Sequence, residues 1–253
     1  MLSQSPLHEV VPFQVAASAI GPHGFLTLPH LIRMLQEAAM RNTVRLNISS
    51  SQMMEEYGCS WVLRRQRIDC VRWPKLGEEL TVLTAPSGFE RKLQTFRDFH
   101  LRDQAGVTII TATSQWLFMD VSTRRLRPIP AAIADLKHHL APAAAHLDRP
   151  DGKVPPPSKP ASARDAEIAF YQLDFNDHLT NPVFPELMLE PLGRNFLRDH
   201  LPIKADIMFQ REARYGDQIK AVTGPEAKDL HFGHALLRGE DQLATMRTSW
   251  RPI

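Results

Sequence analysis

Leu26 to Glu37 reads LTLPHLIRMLQE, and Leu179 to Glu190 reads LTNPVFPELMLE. The segments lie 153 positions apart and share Leu, Thr, Pro and the final Glu, with apolar matches at Leu31/Phe184, Met34/Leu187 and Leu35/Met188. Further on, GEELTVLTAP (Gly77 to Pro86) lies 139 positions ahead of GDQIKAVTGP (Gly216 to Pro225). Self-similarity that keeps its order marks an internal duplication. Both parts also close on a Ser/Thr-rich strand ending in Trp, TATSQW through Trp116 and RTSW through Trp250. The two offsets differ because the first part carries SSSQMMEEYG, read as an extra short helix at Ser51 to Tyr57.

Between the parts, Lys137 to Arg164 (KHHLAPAAAHLDRPDGKVPPPSKPASAR) crowds Pro, Ala and Ser and loses hydrophobic periodicity. It reads as a long crossing linker with little regular structure. The expected division is therefore a first repeat at residues 1–136, the linker at 137–164 and a second repeat at 165–253. Within the first part, Phe13 to Ile20 reads as an opening strand, and Pro29 to Leu46 as a helix with Leu31, Met34, Leu35, Ala38 and Ala39 on one face. Long strand patterns follow at Ser60 to Val71, Glu79 to Ala85, Arg91 to Arg102 and Val107 to Met119, with alternation plainest in Phe96, Asp98, His100 and Arg102 against Arg97, Phe99 and Leu101. One helix against an antiparallel sheet is an α+β layer arrangement. A β-α-β-β-β-β unit whose sheet wraps its helix is the hot-dog arrangement, so two in tandem predict a double hot-dog.

The composition is that of a globular chain: 253 residues, 43% hydrophobic, 23% charged. A net charge of +2 is too mild to argue for nucleic acid. No apolar run reaches the roughly 18 residues a membrane-spanning helix needs. The first basic residue is Arg33, which leaves no secretory n-region or Arg-rich transit segment to read, and a cytoplasmic protein is expected. Cys59 and Cys70 read as reduced thiols, too few for a disulfide scaffold or a zinc site.

Chemistry concentrates where the second helix begins, at Asp174, Asn176 and His178 in YQLDFNDHLTNP. Spaced two apart on an extended segment, the three side chains would project to one side. The following helix start offers backbone N–H groups and a positive dipole end for an oxyanion. An acid, an amide, a histidine and an oxyanion site are the parts of acyl hydrolysis. The duplication places Gly21, His23 and Phe25 opposite the trio, so the polar set belongs to one copy alone, and a cap needed by the fold is expected in both. The second offset places Trp73 opposite Glu212.

On these segments the chain resembles the acyl-acyl-carrier-protein thioesterases of bacteria and plant plastids. The resemblance covers nearly the whole chain: Leu35-Gln36-Glu37, Thr113 to Trp116 with Met119 to Leu126, the D-x-N-x-H-x-x-N stretch from Asp174 to Asn181, and Gln210-Arg211-Glu212. It implies a double hot-dog whose second half is catalytic, with active-site residues at Asp174, Asn176, His178 and Glu212. It departs at Ala213, where plant members have cysteine, and so implies carboxylate-driven hydrolysis rather than a thiol nucleophile. The first half is implied to hold the acyl chain, with Met34, Leu35, Ala38, Met53, Met54 and Trp61 around it.

The chemistry implied is hydrolysis of an acyl-acyl carrier protein thioester to a free fatty acid, without cofactor or metal. Asn176 and backbone N–H groups near His178 and Leu179 would polarise the carbonyl, Glu212 and Asp174 would orient and deprotonate water, and His178 would fix the acid network. The implied partner is acidic acyl carrier protein, with Arg64, Arg65, Arg67, Arg72, Arg124, Arg125 and Arg127 as its docking candidates, on a monomeric pseudo-dimer or a homodimer. Rival readings are an acyl-CoA thioesterase and a non-catalytic acyl-binding protein. Hot-dog hydratases fit less well, because their D-x-N-P-x-H pattern separates Asp and His by five positions where this chain has four.

Overall fold

The computed structural model describes residues 5–253. Its elements are β1 (Glu9–Gln14), α1 (Leu28–Arg45), α2 (Ser50–Tyr57), β2 (Cys59–Cys70), β3 (Glu79–Glu90), β4 (Gln94–Arg102), β5 (Thr108–Asp120), α3 (Ala131–Ala134), β6 (Ser162–Glu167), α4 (Val183–Leu189), α5 (Arg194–Asp199), β7 (His200–Phe209), β8 (Gln218–Pro225), β9 (His231–Arg238) and β10 (Asp241–Pro252). Two compact units result: Met1–Gln14 with Met34–Gln66 and Glu79–Pro150, and Val15–Arg33 with Arg67–Glu78 and Asp151–Ile253.

The strands of the first repeat run in the order β1-β3-β4-β5-β2, and those of the second β7-β10-β9-β8-β6. β1, β3, β4, β5 and β2 correspond in order to β6, β8, β9, β10 and β7, which is the duplication written in hydrogen bonds. The helix α1 turns Leu31, Leu35, Ala38 and Ala39 inward, as the spacing predicts, but Ile32 is buried with them and Met34 is only half-buried. It also buries Asn42, whose amide donates to the Leu7 carbonyl at 2.9 Å and accepts from the Arg97 guanidinium at 2.7 Å. Burial pulls that guanidinium down to about 10. The short helix α2 is set by a capping box between Ser49 and Gln52 and stopped by Gly58 at φ +63°.

Four expectations need correction. The opening strand is β1, four residues earlier than its pattern suggested. The AASA run at Ala16 to Ala19 curls into a 3-10 turn, since its small side chains give a strand nothing to pack. The alternation in β4 does not separate a dry face from a wet one, for Phe96, Arg97, Asp98, Phe99 and Leu101 are all buried. Arg97 faces α1, while Asp98 accepts the Leu147 N–H at 2.9 Å from the crossing segment. That segment holds 3-10 turns at Asp135–His139 and Ala143–Ala145, and its last three residues already belong to β6. It lies against the strands: Arg149 stacks 4.5 Å from the centre of Phe96, and in the second unit Thr245 donates to the Val154 carbonyl at 2.6 Å.

The fourth correction concerns the second central helix, which is broken into α4, a 3-10 turn at Glu190–Leu192, and α5. Pro191 has no N–H to continue the ladder, and Gly193 sits at φ +82°, a left-handed region that favours glycine. Under it, His234 is fully buried between Thr223, Thr248 and the Met188 carbonyl. Burial depresses its imidazole to about 3, so it stays neutral. Among the described residues no helix is long and apolar enough to cross a membrane.

Candidate active site

Asp174 to His178 is a tight loop, not an extended segment. The bridge Leu173↔Leu179 closes it, the Asp174 N–H donates to the His178 carbonyl at 2.8 Å, and Asp177 adopts φ +62°. The Asp174 carboxylate folds inward to accept the N–H groups of Asn176 at 2.8 Å and His178 at 3.3 Å. The three side chains therefore do not line one side of a strand. Asn176 stands exposed at the tip, and His178 is half-buried at the base.

The first copy builds the same loop from other residues. Ile20↔Leu26 is the bridge, Gly21 donates to the Phe25 carbonyl at 3.0 Å, and Gly24 takes φ +82° where Asp177 has its positive φ. Leu26 donates to the Pro74 carbonyl at 2.9 Å, as Leu179 does to that of Ala213 at 2.8 Å. The N–H capped by Asp174 in the second copy is that of Phe25 in the first, where His23 Nδ1 accepts it at 3.0 Å. The cap thus appears in both copies through different side chains, and Asp174 does not share in the asymmetry on which the sequence reading relied. His178 and Glu212 do.

Glu212 and His178 meet, with Oε2 3.3 Å from Nε2. In the first copy the pair is Trp73 and Phe25. Trp73 is buried, with its indole N–H on the Pro202 carbonyl at 2.6 Å, a position no carboxylate could share without losing its water. Sequence reasoning missed Arg214, whose guanidinium lies 3.3 Å from both Glu212 Oε1 and His178 Nε2. A signal was present, since the duplication sets Lys75 opposite it. Four exposed aromatics flank these residues in sequence, Phe170 and Tyr171 on the 3-10 turn that precedes the loop, Phe175 on the loop and Tyr215 beside Arg214, where the first copy has Ala17, Ser18, Pro22 and Leu76.

Other expected contributions change. The N–H groups of His178 and Leu179 are already spent, on Asp174 and on the Ala213 carbonyl, so neither faces a substrate carbonyl. Ala213 is fully buried, while Glu212 beside it keeps part of its side chain exposed. Both cysteines are buried, and desolvation raises each thiol, that of Cys70 to about 12. In the first unit Met53 is buried with Ile48, Phe118, Ile129 and Ile133, Trp61 packs against this cluster with its ring 4.9 Å from Phe118, and Met54 is instead exposed. Arg65 is buried, and Arg67 and Arg72 pair with Asp69 and Glu78, whereas Arg124, Arg125 and Arg127 are exposed. Among the described residues no group of three or more His, Cys, Asp or Glu is arranged to hold a metal ion.

Two tandem repeats, each of one central helical segment and five antiparallel strands, define an α+β double hot-dog protein. The acyl-ACP thioesterase N-terminal domain matches residues 10–136, and the acyl-ACP thioesterase C-terminal domain matches residues 157–252. The chain belongs to the acyl-ACP thioesterase family. It is 24% identical over 262 residues to a chloroplastic dodecanoyl-[acyl-carrier-protein] hydrolase of Cinnamomum camphora, covering 95% of this chain and 66% of that one. It is also 24% identical over 247 residues to a chloroplastic oleoyl-acyl carrier protein thioesterase of Coriandrum sativum, covering 90% of this chain and 65% of that one. The chain thus spans about two thirds of the length of these curated relatives. Among solved structures, the 12:0-ACP thioesterase from Umbellularia californica superposes with a TM-score of 0.88 at 19% identity, covering 99% of this chain and 100% of that one. An acyl-ACP thioesterase from Bacteroides thetaiotaomicron gives a TM-score of 0.85 at 19% identity, covering 97% of this chain and 98% of that one.

Proposed function

We propose that the protein hydrolyses the thioester of acyl-acyl carrier protein and releases a free fatty acid, with the second repeat as the catalytic half and the first as the acyl-holding half. The observation that carries this reading is the confinement of the His178–Glu212 pair to one of two otherwise matching loops. Family membership and the names of the relatives, hydrolases of dodecanoyl- and oleoyl-carrier thioesters, support the substrate class.

In the proposed reaction Glu212 takes a proton from water as the water oxygen bonds to the thioester carbonyl carbon. The tetrahedral intermediate collapses, the C–S bond breaks, and the proton passes through His178 Nε2, 3.3 Å from the carboxylate, to the departing sulfur. A thiol has an ordinary pKa of about 8.5, so it leaves with little help. Asn176, exposed at the loop tip, offers its amide to the carbonyl oxygen. Asp174 acts by holding the loop in shape. The exposed aromatics around the site are an asymmetric apolar rim suited to the substrate's carrier arm.

The test is thiol release from a panel of acyl-carrier-protein and acyl-CoA thioesters of graded chain length. Turnover with the best rates on carrier-protein thioesters is expected. Faster turnover of CoA thioesters would replace the carrier with coenzyme A, and acyl binding without thiol release would make the protein an acyl-binding relative.

A further inference from the structure

The three 3.3 Å contacts among Arg214, Glu212 and His178 cannot all be hydrogen bonds at once. A guanidinium only donates, so its contact with His178 needs a lone pair on Nε2 and the ring proton on Nδ1. A carboxylate only accepts, so the Glu212 contact needs a proton on the same Nε2. Cation and anion compete for one nitrogen.

The matching turn shows that the cation's place belongs to the scaffold. In the first copy Lys75 Nζ lies 5.3 Å from the centre of the Phe25 ring, and Lys75 and Phe25 are the counterparts of Arg214 and His178. Both backbones are pinned alike, Lys75 N–H to Glu78 at 2.8 Å and Arg214 N–H to Asp217 at 2.9 Å. The turn presents a cation to a ring twice, and only in the second copy can the ring titrate.

We propose that Arg214 is a positioning residue that holds Glu212 by Oε1 and keeps the His178 imidazole neutral with its proton on Nδ1, leaving Nε2 open to receive the proton Glu212 takes from water. This rests on the hydrolytic reading of the site. Once protonated, Nε2 turns from Arg214 to Glu212 Oε2 and the imidazolium is paired until sulfur takes the proton. On its own loop two further charged groups lie close in sequence, Asp174, whose carboxylate is on the His178 amide, and the exposed Asp177. On the facing turn, Asp217 is held by Arg238 at 2.6 Å, and Arg211 pairs with Asp241 at 3.1 Å.

The test is an imidazole ¹⁵N and ¹³C NMR titration of the full chain, with the His178 signal assigned by its loss in His178→Gln. Wild type is expected to show the Nδ1–H tautomer at neutral pH. Arg214→Gln should raise the His178 midpoint by about half to one pH unit, the usual effect of losing a nearby like charge, and shift the tautomer toward Nε2–H. Arg214→Lys, which keeps the charge, should stay close to wild type in midpoint, and Arg211→Gln should change neither. An Arg214→Gln titration identical to wild type in a folded protein overturns the proposal. The same variants in the thioester assay separate the two readings. An acid limb of the rate profile that moves up with Arg214→Gln supports both, and a wild type that releases no thiol ends the hydrolytic reading while the NMR result still decides what Arg214 does to His178.

Discussion

Asp174 contributes to its loop one accepting oxygen shared by two N–H groups, and an amide oxygen can serve as well as a carboxylate. Asp174→Asn should therefore keep kcat within a few-fold of wild type, while Asp174→Ala, which leaves both N–H groups without that acceptor, should lower it by about tenfold or more, in line with 1–3 kcal/mol for an unmet donor. Steady-state thiol release by the two variants decides this, and a comparable collapse in both would return Asp174 to the role of a base. At this scale the sequence showed which residues are polar and which copy holds them, but not how they face. Spacing alone cannot reveal that Asp177 is left-handed; the hint was Gly24 at the matching position of the first copy. Glu212 reads as an ordinary acidic residue before a turn until the fold brings His178 to it.

Among the elements, the crossing segment and the broken second helix make the clearest stability claims. A Cβ on Gly224 of β8 would lie 2.1 Å from the Lys159 carbonyl oxygen, while one on Gly233 of β9 would meet Pro157 at 3.3 Å. Gly224→Ala should thus cost about 2 kcal/mol or more and Gly233→Ala clearly less, read from urea unfolding. Equal costs would mean that the segment does not press on β8. His234 makes a second claim. Its imidazole titrates near 3 when folded against 6.5 in a free chain, so between these values the unfolded state binds a proton that the native state does not. Stability present above about pH 6.5 is then lost as pH falls, at about 1.4 kcal/mol per unit from this group. Urea midpoints from pH 7 to pH 5 should fall more steeply for wild type than for His234→Gln, and parallel slopes would contradict the assignment. Helix α1 was legible because its apolar spacing and burial agree. The strands of the first part were legible in position but not in exposure, because the linker covers a face that alternation alone would leave wet.

Over the whole molecule the duplication was the most legible feature, and it survives as matched strand orders and matched loop hydrogen bonds. What the repeat could not convey is where the copies diverge in three dimensions: a helix interrupted at Pro191 and Gly193, and a Trp73 whose buried indole closes the place where Glu212 opens onto the surface. The functional claim is that one copy kept the scaffold and the other carries the chemistry. Steady-state hydrolysis of a long-chain acyl-carrier-protein thioester by wild type, Glu212→Ala, His178→Ala and the first-copy variant His23→Ala, each checked for folding by circular dichroism, tests it most directly. Glu212→Ala and His178→Ala should each lower kcat by on the order of 10²-fold or more, and His23→Ala should stay within a few-fold of wild type. A folded Glu212→Ala that turns over at the wild-type rate, or a His23→Ala as impaired as His178→Ala, would contradict it.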